Sequence, residues 1–424
     1  VEGERLQTAF LSWRESDAGQ ASARTRAGLP ISSLSETLEH TLRHHQVLLL
    51  CGETGSGKST QVPQMILDEA LARGRGSDTS IICTQPRRIA ATSLASRVAS
   101  ERGERVGRSD SYIGYTVRME NKRCENTRLL YCTTGIALRM MLDESPLGKI
   151  SHVVVDEVHE RDVQTDQLLL LLRELLPRRP DLRVVCMSAT VQAELFSRYF
   201  AGCPVLKCSG RTYPVSEMYL EDVLALTGYV LKPDSAYRVQ DSATWQRQIF
   251  EVHNSRAGGT TQTVVQEWKE GGSGALNPDY DAHAYPNHPE SVHEVLKRLN
   301  EHAINVDLIC ELIAYIDVEL EEGAILIFVP GIVEISAIVR QLGNSRQLDP
   351  ERFVLLSLHS TLTSKEQQAV FRPVPPGVRK VVVATNIAET SITIDDAVFV
   401  IDTGRAKVSM YDERKMMRRL VAQL

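Results

Sequence analysis

From residue 46 onward, short apolar runs alternate with amphipathic stretches. Val47–Cys51, Ser80–Thr84, Val153–Asp156, Leu182–Met187 and Val205–Cys208 are of strand length and rich in β-branched residues. Between them, Ile89–Ser100 and Val163–Leu175 place apolar side chains on one helical face. A strand apolar along its whole length is covered on both faces, as in a parallel sheet with helical crossovers. The pattern predicts a doubly wound α/β domain.

The alternation breaks at about residue 232. Residues 254–276 carry five Gly and residues 277–289 add three Pro, which reads as a linker or surface insertion without regular structure. Helical periodicity returns with Ile309, Leu312, Ile313, Ile316 and Leu320 on one face. A second α/β alternation follows at Ala324–Val329, Phe353–Leu358, Lys380–Thr385 and Ala397–Asp402. The organisation expected is an N-terminal extension (1–34), a first α/β domain (35–232), an insertion or linker (233–300) and a second α/β domain (301–424) with no clean C-terminal boundary. The chain starts with Val rather than Met, so a fragment of a longer protein is expected.

Composition narrows the class only slightly. Of 424 residues, 42% are hydrophobic and 24% charged, as in ordinary globular proteins. A net charge of −6 argues against a uniformly basic nucleic-acid coat protein and leaves room for a local basic groove. The eight Cys form no C-x-x-C pair, and several sit in apolar runs, so buried free thiols in a reducing compartment are expected. No apolar run reaches the roughly 18 residues of a membrane span. The first residues lack a signal-peptide profile. A cytoplasmic location is expected, with the nucleus as the alternative.

The chemistry begins where the first strand ends. G-E-T-G-S-G-K-S-T at 52–60 follows LLLC and precedes a helical stretch, the strand–loop–helix setting of a phosphate-binding loop. Gly52, Glu53, Thr54, Gly55, Ser56 and Gly57 would turn backbone N–H groups toward phosphate oxygens, at a helix N-terminus. Lys58 would reach the β- and γ-phosphates of ATP or GTP, and Ser59, followed by Thr60, would put its hydroxyl on Mg2+. That loop decides the reading of V-V-V-D-E-V-H-E-R-D at 153–162. An acid at a strand end often only caps the next helix. Downstream of a phosphate loop, Asp156 becomes the candidate Mg2+ ligand and Glu157 the group that orients or deprotonates the attacking water.

DEVHER and GETGSGKST together resemble the DEAH/RHA branch of superfamily 2 helicases. TQPRRIAA at 84–91, TTGIALR at 133–139, SAT at 188–190, ILIFVPG at 325–331, SLHSTLTSKEQ at 357–367 and ATNIAETSITID at 384–395 match the further motifs of that family in its order. The resemblance implies two RecA-like domains that bind ATP (other nucleoside triphosphates being possible) with Mg2+, and RNA. It implies catalytic roles for Lys58, Asp156 and Glu157, and gives His159, Ser188 and Thr190 the coupling of hydrolysis to domain movement. Without the motif, His159 would be an ordinary structural histidine. By the same resemblance Arg97 and Phe371 sandwich the base and Asp395 belongs to the ATP site. Arg87, Arg88, Thr133, Thr134 and Thr385 contact the RNA backbone, which gives affinity without sequence readout. Stacking on the base implies loose nucleotide specificity.

The family's arginine-rich motif VI is not reached before Leu424, so this stretch alone is expected to hydrolyse ATP poorly. GRAKVSMYDERKMMRRLV reads as two strands around a turn at Asp412–Glu413, either a strand-separating hairpin or an ordinary surface one. Val158 in the box and the spelling TTG resemble the cytosolic members nearest the helicase that binds the small ribosomal subunit in translation initiation. That makes the small ribosomal subunit and initiation factors candidate partners beside RNA, with no DNA and no membrane expected. The expected activity is an RNA-stimulated ATPase that translocates 3′ to 5′ on RNA or remodels RNA–protein complexes. A non-catalytic RNA- or ribosome-binding scaffold is the alternative.

Overall fold

The computed structural model describes residues 2–142, 147–189, 193–210, 213–239, 244–254, 260–270, 276–345, 348–349, 351–359, 361–363, 366–367, 369–388, 394–412 and 417–423. The chain forms two compact units, Val1–Tyr213 and Pro214–Glu389 with Ile394–Leu424. The first unit begins with three helices, α1 (Glu2–Glu15), α2 (Asp17–Ala27) and α3 (Ser35–His44). The α/β alternation then runs β1 (Val47–Gly52), α4 (Lys58–Ala72), β2 (Ile81–Gln85), α5 (Arg88–Glu101), β3 (Ile113–Val117), β4 (Glu120–Lys122), β5 (Leu129–Thr133) and α6 (Thr134–Met140). It closes with β6 (His152–Val155), α7 (Val163–Leu175), β7 (Arg183–Ser188), α8 (Ala193–Tyr199) and β8 (Val205–Cys208).

These strands make one sheet in the order β4-β3-β5-β2-β6-β7-β1-β8, parallel except where β4 pairs with β3. The apolar run of β1 is explained by its two faces. Leu48 and Leu50 enter one buried cluster with helix residues Leu67 and Leu71, while Val47, Leu49 and Cys51 enter another with Leu168 and Leu172. Each fully buried Leu contributes about 2 kcal/mol, so alternation would forfeit half of the gain.

Of the expected extension 1–34, residues 2–34 fold onto this unit. Leu6 and Phe10 of α1 are 2% and 4% exposed and join the cluster of Leu67 and Leu71. The buried Arg102 guanidinium lies 5.8 Å from the Phe10 ring and 5.4 Å from Trp13, and pairs with Asp68 and Glu104. The strands β3, β4 and β5 are additions to the sequence-based expectation, and they widen the sheet on the β2 side.

The second unit starts at Pro214, earlier than the expected break near 232. Its elements are α9 (Leu220–Thr227), β9 (Thr244–Asn254), β10 (Thr260–Glu270), α10 (Glu290–Leu296), α11 (Val306–Glu319), β11 (Ala324–Phe328) and α12 (Ile332–Asn344). They continue with β12 (Phe353–Leu358), β13 (Arg379–Ala384), β14 (Ala397–Asp402), β15 (Ala406–Asp412) and β16 (Met417–Gln423). A parallel sheet has the order β12-β13-β11-β14. Leu224 of α9 packs with Val292, Val295 and Leu296 of α10 and with Leu308 of α11, which explains why residues 214–232 belong here. On α11, Ile309, Ile313 and Ile316 are buried, whereas Leu320 lies past the helix end and is 41% exposed.

The Gly-rich insertion, expected to lack regular structure, contains an antiparallel hairpin. β9 and β10 pair from Thr244↔Glu270 to Asn254↔Thr260. Its strands spell TWQRQIFEVHN and TTQTVVQEWKE, rich in β-branched and aromatic residues, and the Gly residues concentrate outside them. A second hairpin pairs β15 with β16 in the register Asp412↔Met417, and residues 413–416 of the expected turn lie outside the described residues. All eight Cys are free thiols, seven of them buried. Among the described residues no helix is long and apolar enough to cross a membrane.

Candidate nucleotide site and nucleic-acid residues

In the first unit one strand, β7, separates β1 from β6, so the ends of β1, β7 and β6 line up along one edge. The phosphate loop leaves β1 at this edge. Gly55 and Gly57 have φ of 78° and 92°, in the left-handed region that side-chain-bearing residues avoid. Gly57 is the N-cap of α4, and among the described residues no side chain caps this helix end. A Cβ at Gly57 would stand 3.1 Å from both Leu29 and Ile31. The Ile31 N–H donates to the Ser56 carbonyl at 3.1 Å, so the segment before α3 holds the loop from outside.

Lys58, the first residue of α4, is 6% exposed, and its ammonium donates to the carbonyls of Gly52 and Glu53. Burial lowers its proton affinity, against the pull of the Asp156 and Glu157 charges. Ser56 is fully buried and donates to the Glu53 carbonyl at 2.8 Å, and Thr60 donates to the Gly57 carbonyl at 3.2 Å. Glu53, Thr54 and Gly55 are exposed.

Asp156 directly follows β6 and is 2% exposed. One carboxylate oxygen accepts from Gln85 Nε2 at 2.7 Å and the other from the Glu157 N–H at 2.9 Å. Burial raises its proton affinity, and hydrogen bonds from Ser59 and Gln85 with the Lys58 charge oppose that rise. Glu157 has φ 56°, a left-handed conformation unusual for a non-Gly residue and one met at functional sites. Its carboxyl is pushed up to about 8, first by burial and then by the Asp156 charge. A raised proton affinity makes a carboxylate a stronger proton acceptor. His159 Nδ1 lies 3.5 Å from Glu157 Oε2 and accepts from the Ala189 N–H at 3.3 Å, linking the box to the end of β7. Ser188 ends β7 and is 2% exposed.

The residues present fit Mg2+ and a triphosphate. The hydroxyl of Ser59 and the carboxylate of Asp156 meet through a hydrogen bond, an oxygen pair of the kind Mg2+ binds while keeping water and phosphate oxygens. Among the described residues there is no cluster of three or more His, Cys, Asp or Glu side chains that would form an all-protein metal cage. The left-handed glycines and the helix end without a side-chain cap supply N–H donors for phosphate.

The remaining candidates are spread more widely. Arg87 stands 4.0 Å from Glu160, just past the box. Arg88 opens α5, and its Nε has no hydrogen-bond partner among the described residues. Thr133 is the N-cap of α6. Thr134 is 3% exposed, and its hydroxyl donates inward to the Gln85 carbonyl at 3.5 Å, so its side chain serves the fold. Arg97 is exposed and pairs with Glu101 at 2.8 Å; Glu101 in turn accepts from Gln61 and Gln64 of α4. In the second unit Thr385 follows β13, Phe371 ends a 3-10 turn at Ala369–Phe371, and Asp395 is exposed before β14. Thr190, residues 389–393 of the last motif, and Ser360, Ser364 and Lys365 lie outside the described residues. Sequence reasoning missed Gln85, although its place in TQPRR was in view, and it missed the Leu29–Ile31 support.

The fold and the edge residues define a P-loop nucleotide-binding domain followed by a second α/β unit. Residues 34–197 match the DEAD/DEAH box helicase family and residues 305–420 the helicase conserved C-terminal domain. The human ATP-dependent RNA helicase DHX29 is 45% identical over 428 residues, covering 99% of this chain and 31% of that protein. The DExH-box ATP-dependent RNA helicase DExH1 of Arabidopsis thaliana is 42% identical over 389 residues, covering 91% of this chain and 37% of that one. The ATP-dependent DNA/RNA helicase DHX36 of Mus musculus is 40% identical over 403 residues, covering 94% and 39%. The chain thus spans about a third of the length of these curated relatives. It belongs to the DExH-type branch of the DEAD/DEAH-box helicases.

Proposed function

We propose that this chain is the motor core of an ATP-dependent RNA helicase, acting 3′ to 5′ on RNA or on RNA–protein complexes. The observation that carries the proposal is the meeting of Ser59, Asp156 and Glu157 opposite the buried Lys58. Lys58 exchanges its two loop carbonyls for phosphate oxygens. Ser59 and Asp156 would hold Mg2+, which when bound would neutralise phosphate charge. Glu157, kept close to Asp156 by its left-handed backbone, accepts the proton of the attacking water. His159 carries the state of Glu157 to Ala189 and to the motif that Ser188 and Thr190 begin and end.

Arg97, Phe371 and Asp395 are taken as nucleotide contacts, each from its place in the family's motifs. Arg87, Arg88, Thr133, Thr134 and Thr385 face the RNA backbone, Thr134 through its main chain because its hydroxyl is turned inward. The relatives' names favour RNA, and the DNA/RNA name of the mouse protein makes DNA a comparison substrate. The finer reading is action on the small ribosomal subunit in translation initiation, with initiation factors as partners in the cytoplasm. It is supported by Val158 and by the TTG spelling.

The test is ATP turnover by the full-length protein with and without single-stranded RNA, beside Glu157→Gln. The expected outcome is RNA-stimulated turnover that falls by about a hundredfold or more in the variant while ATP still binds. Full cellular function in the variant would favour the scaffold reading instead.

A further inference from the structure

In an α-helix the N–H of each residue donates to the carbonyl four positions back. Helix α4 carries Pro63 in its interior. Proline has no N–H, so the helix leaves the Ser59 carbonyl without its usual donor. That carbonyl belongs to the residue whose hydroxyl meets Asp156. The missing donor comes from outside the helix: Tyr131 Oη donates to the Ser59 carbonyl at 3.0 Å. Tyr131 sits in β5, is fully buried, and packs in the cluster beneath α4. A phenol keeps its proton at neutral pH, so Tyr131 has a hydrogen to donate.

We propose that Tyr131 is a positioning residue for Ser59, its phenol replacing the hydrogen bond that Pro63 withholds and so setting where the Ser59 hydroxyl meets the metal. The inference rests on the reading of Ser59 as a Mg2+ ligand. It makes a demand on the sequence that a phosphate-loop motif does not contain. A Pro at the sixth position of α4 requires a hydroxyl on a strand that is distant in sequence.

The experiment uses the full-length protein and binding of a fluorescent ADP analogue, once with Mg2+ and once with EDTA. Tyr131→Phe, which keeps the ring and removes one donor, is expected to weaken binding with Mg2+ by about three- to tenfold and binding in EDTA by less than about twofold. Pro63→Ala restores a backbone N–H to the Ser59 carbonyl, so the double variant is expected to return to within about twofold of wild type. Equal weakening in both conditions, or a defect that Pro63→Ala does not rescue, overturns the proposal. A Tyr131→Phe variant that melts earlier yet keeps the wild-type gain from Mg2+ also overturns it. Ser59→Ala is the control for the underlying reading: if it leaves the Mg2+ gain intact, Ser59 is not the ligand, whatever Tyr131 does.

Discussion

Lys58 in the first unit and Lys380 in the second are buried to a similar degree, 6% and 2% exposed. Their surroundings differ. Lys380 crosses from β13 to donate to the Val370 carbonyl at 2.9 Å and to lie 2.8–2.9 Å from both oxygens of the Asp396 carboxylate. Its charge is matched and its three protons are placed. Lys58 donates to two loop carbonyls, feels Asp156 and Glu157 through space, and pays for burial with a lowered proton affinity. A buried cation with a full set of partners holds a fold together. One left with neutral carbonyls is ready for an anion.

The contrast is most exposed at Lys58 itself. Lys58→Ala is expected to reduce ATP turnover by a hundred- to about a thousandfold, the scale of losing one donor to developing charge. Thermal stability is expected to stay level or rise, because an incompletely matched buried charge is gone. A marked fall in melting temperature would place Lys58 with Lys380 as a structural cation.

His152 extends the comparison to a buried group that sheds its charge. Burial, with Arg183 and Arg75 nearby, lowers its pKa to about 4. Above pH 6.5 it is neutral folded and unfolded. As pH falls toward 4 the unfolded chain takes up a proton that the folded chain refuses, so stability declines through that window. By pH 5 this one group is expected to cost about 2 kcal/mol. Urea titrations at pH 7 and pH 5 check the sign, and His152→Asn should lose less stability on acidification by about that amount.

The smallest effect concerns Lys380. Lys380→Met is expected to destabilise the second unit by about 1–2 kcal/mol, less than a fully buried pair would because Asp396 is 42% exposed and can rehydrate. Adding Asp396→Leu should recover part of the loss in a denaturation double-mutant cycle. Loss of turnover without loss of stability would reverse the roles of the two lysines.

Much of the doubly wound architecture was legible because a two-faced strand cannot hide its composition. The helix Val163–Leu175 and the strands Val205–Cys208, Phe353–Leu358 and Ala397–Asp402 have the bounds the pattern predicts. What escaped depends on partners distant in sequence. Leu6 and Phe10 look like two apolar residues in a polar stretch until α4 and Arg102 are beside them. The Gly count at 254–276 obscured two strands, because composition averages over positions and hairpins depend on which positions they are. At the site, motif spacing brought Lys58, Ser59, Asp156 and Glu157 into view. The inward turn of Thr134 and the hold of Tyr131 on Ser59 follow from side-chain direction, which spacing does not encode.

The order of strands in the first sheet also sets a timetable. β1 is the first strand to be synthesised, yet its neighbours β7 and β8 are the last two of that sheet. At roughly 5–20 residues per second, a nascent chain carries VLLLC unpaired for on the order of ten seconds before Arg183–Cys208 arrives to flank it. The phosphate loop is therefore among the first parts of the domain made and among the last finished. Premature termination after β1 and before β8 leaves an apolar strand with an open edge, the kind of segment that chaperones retain and that aggregates recruit.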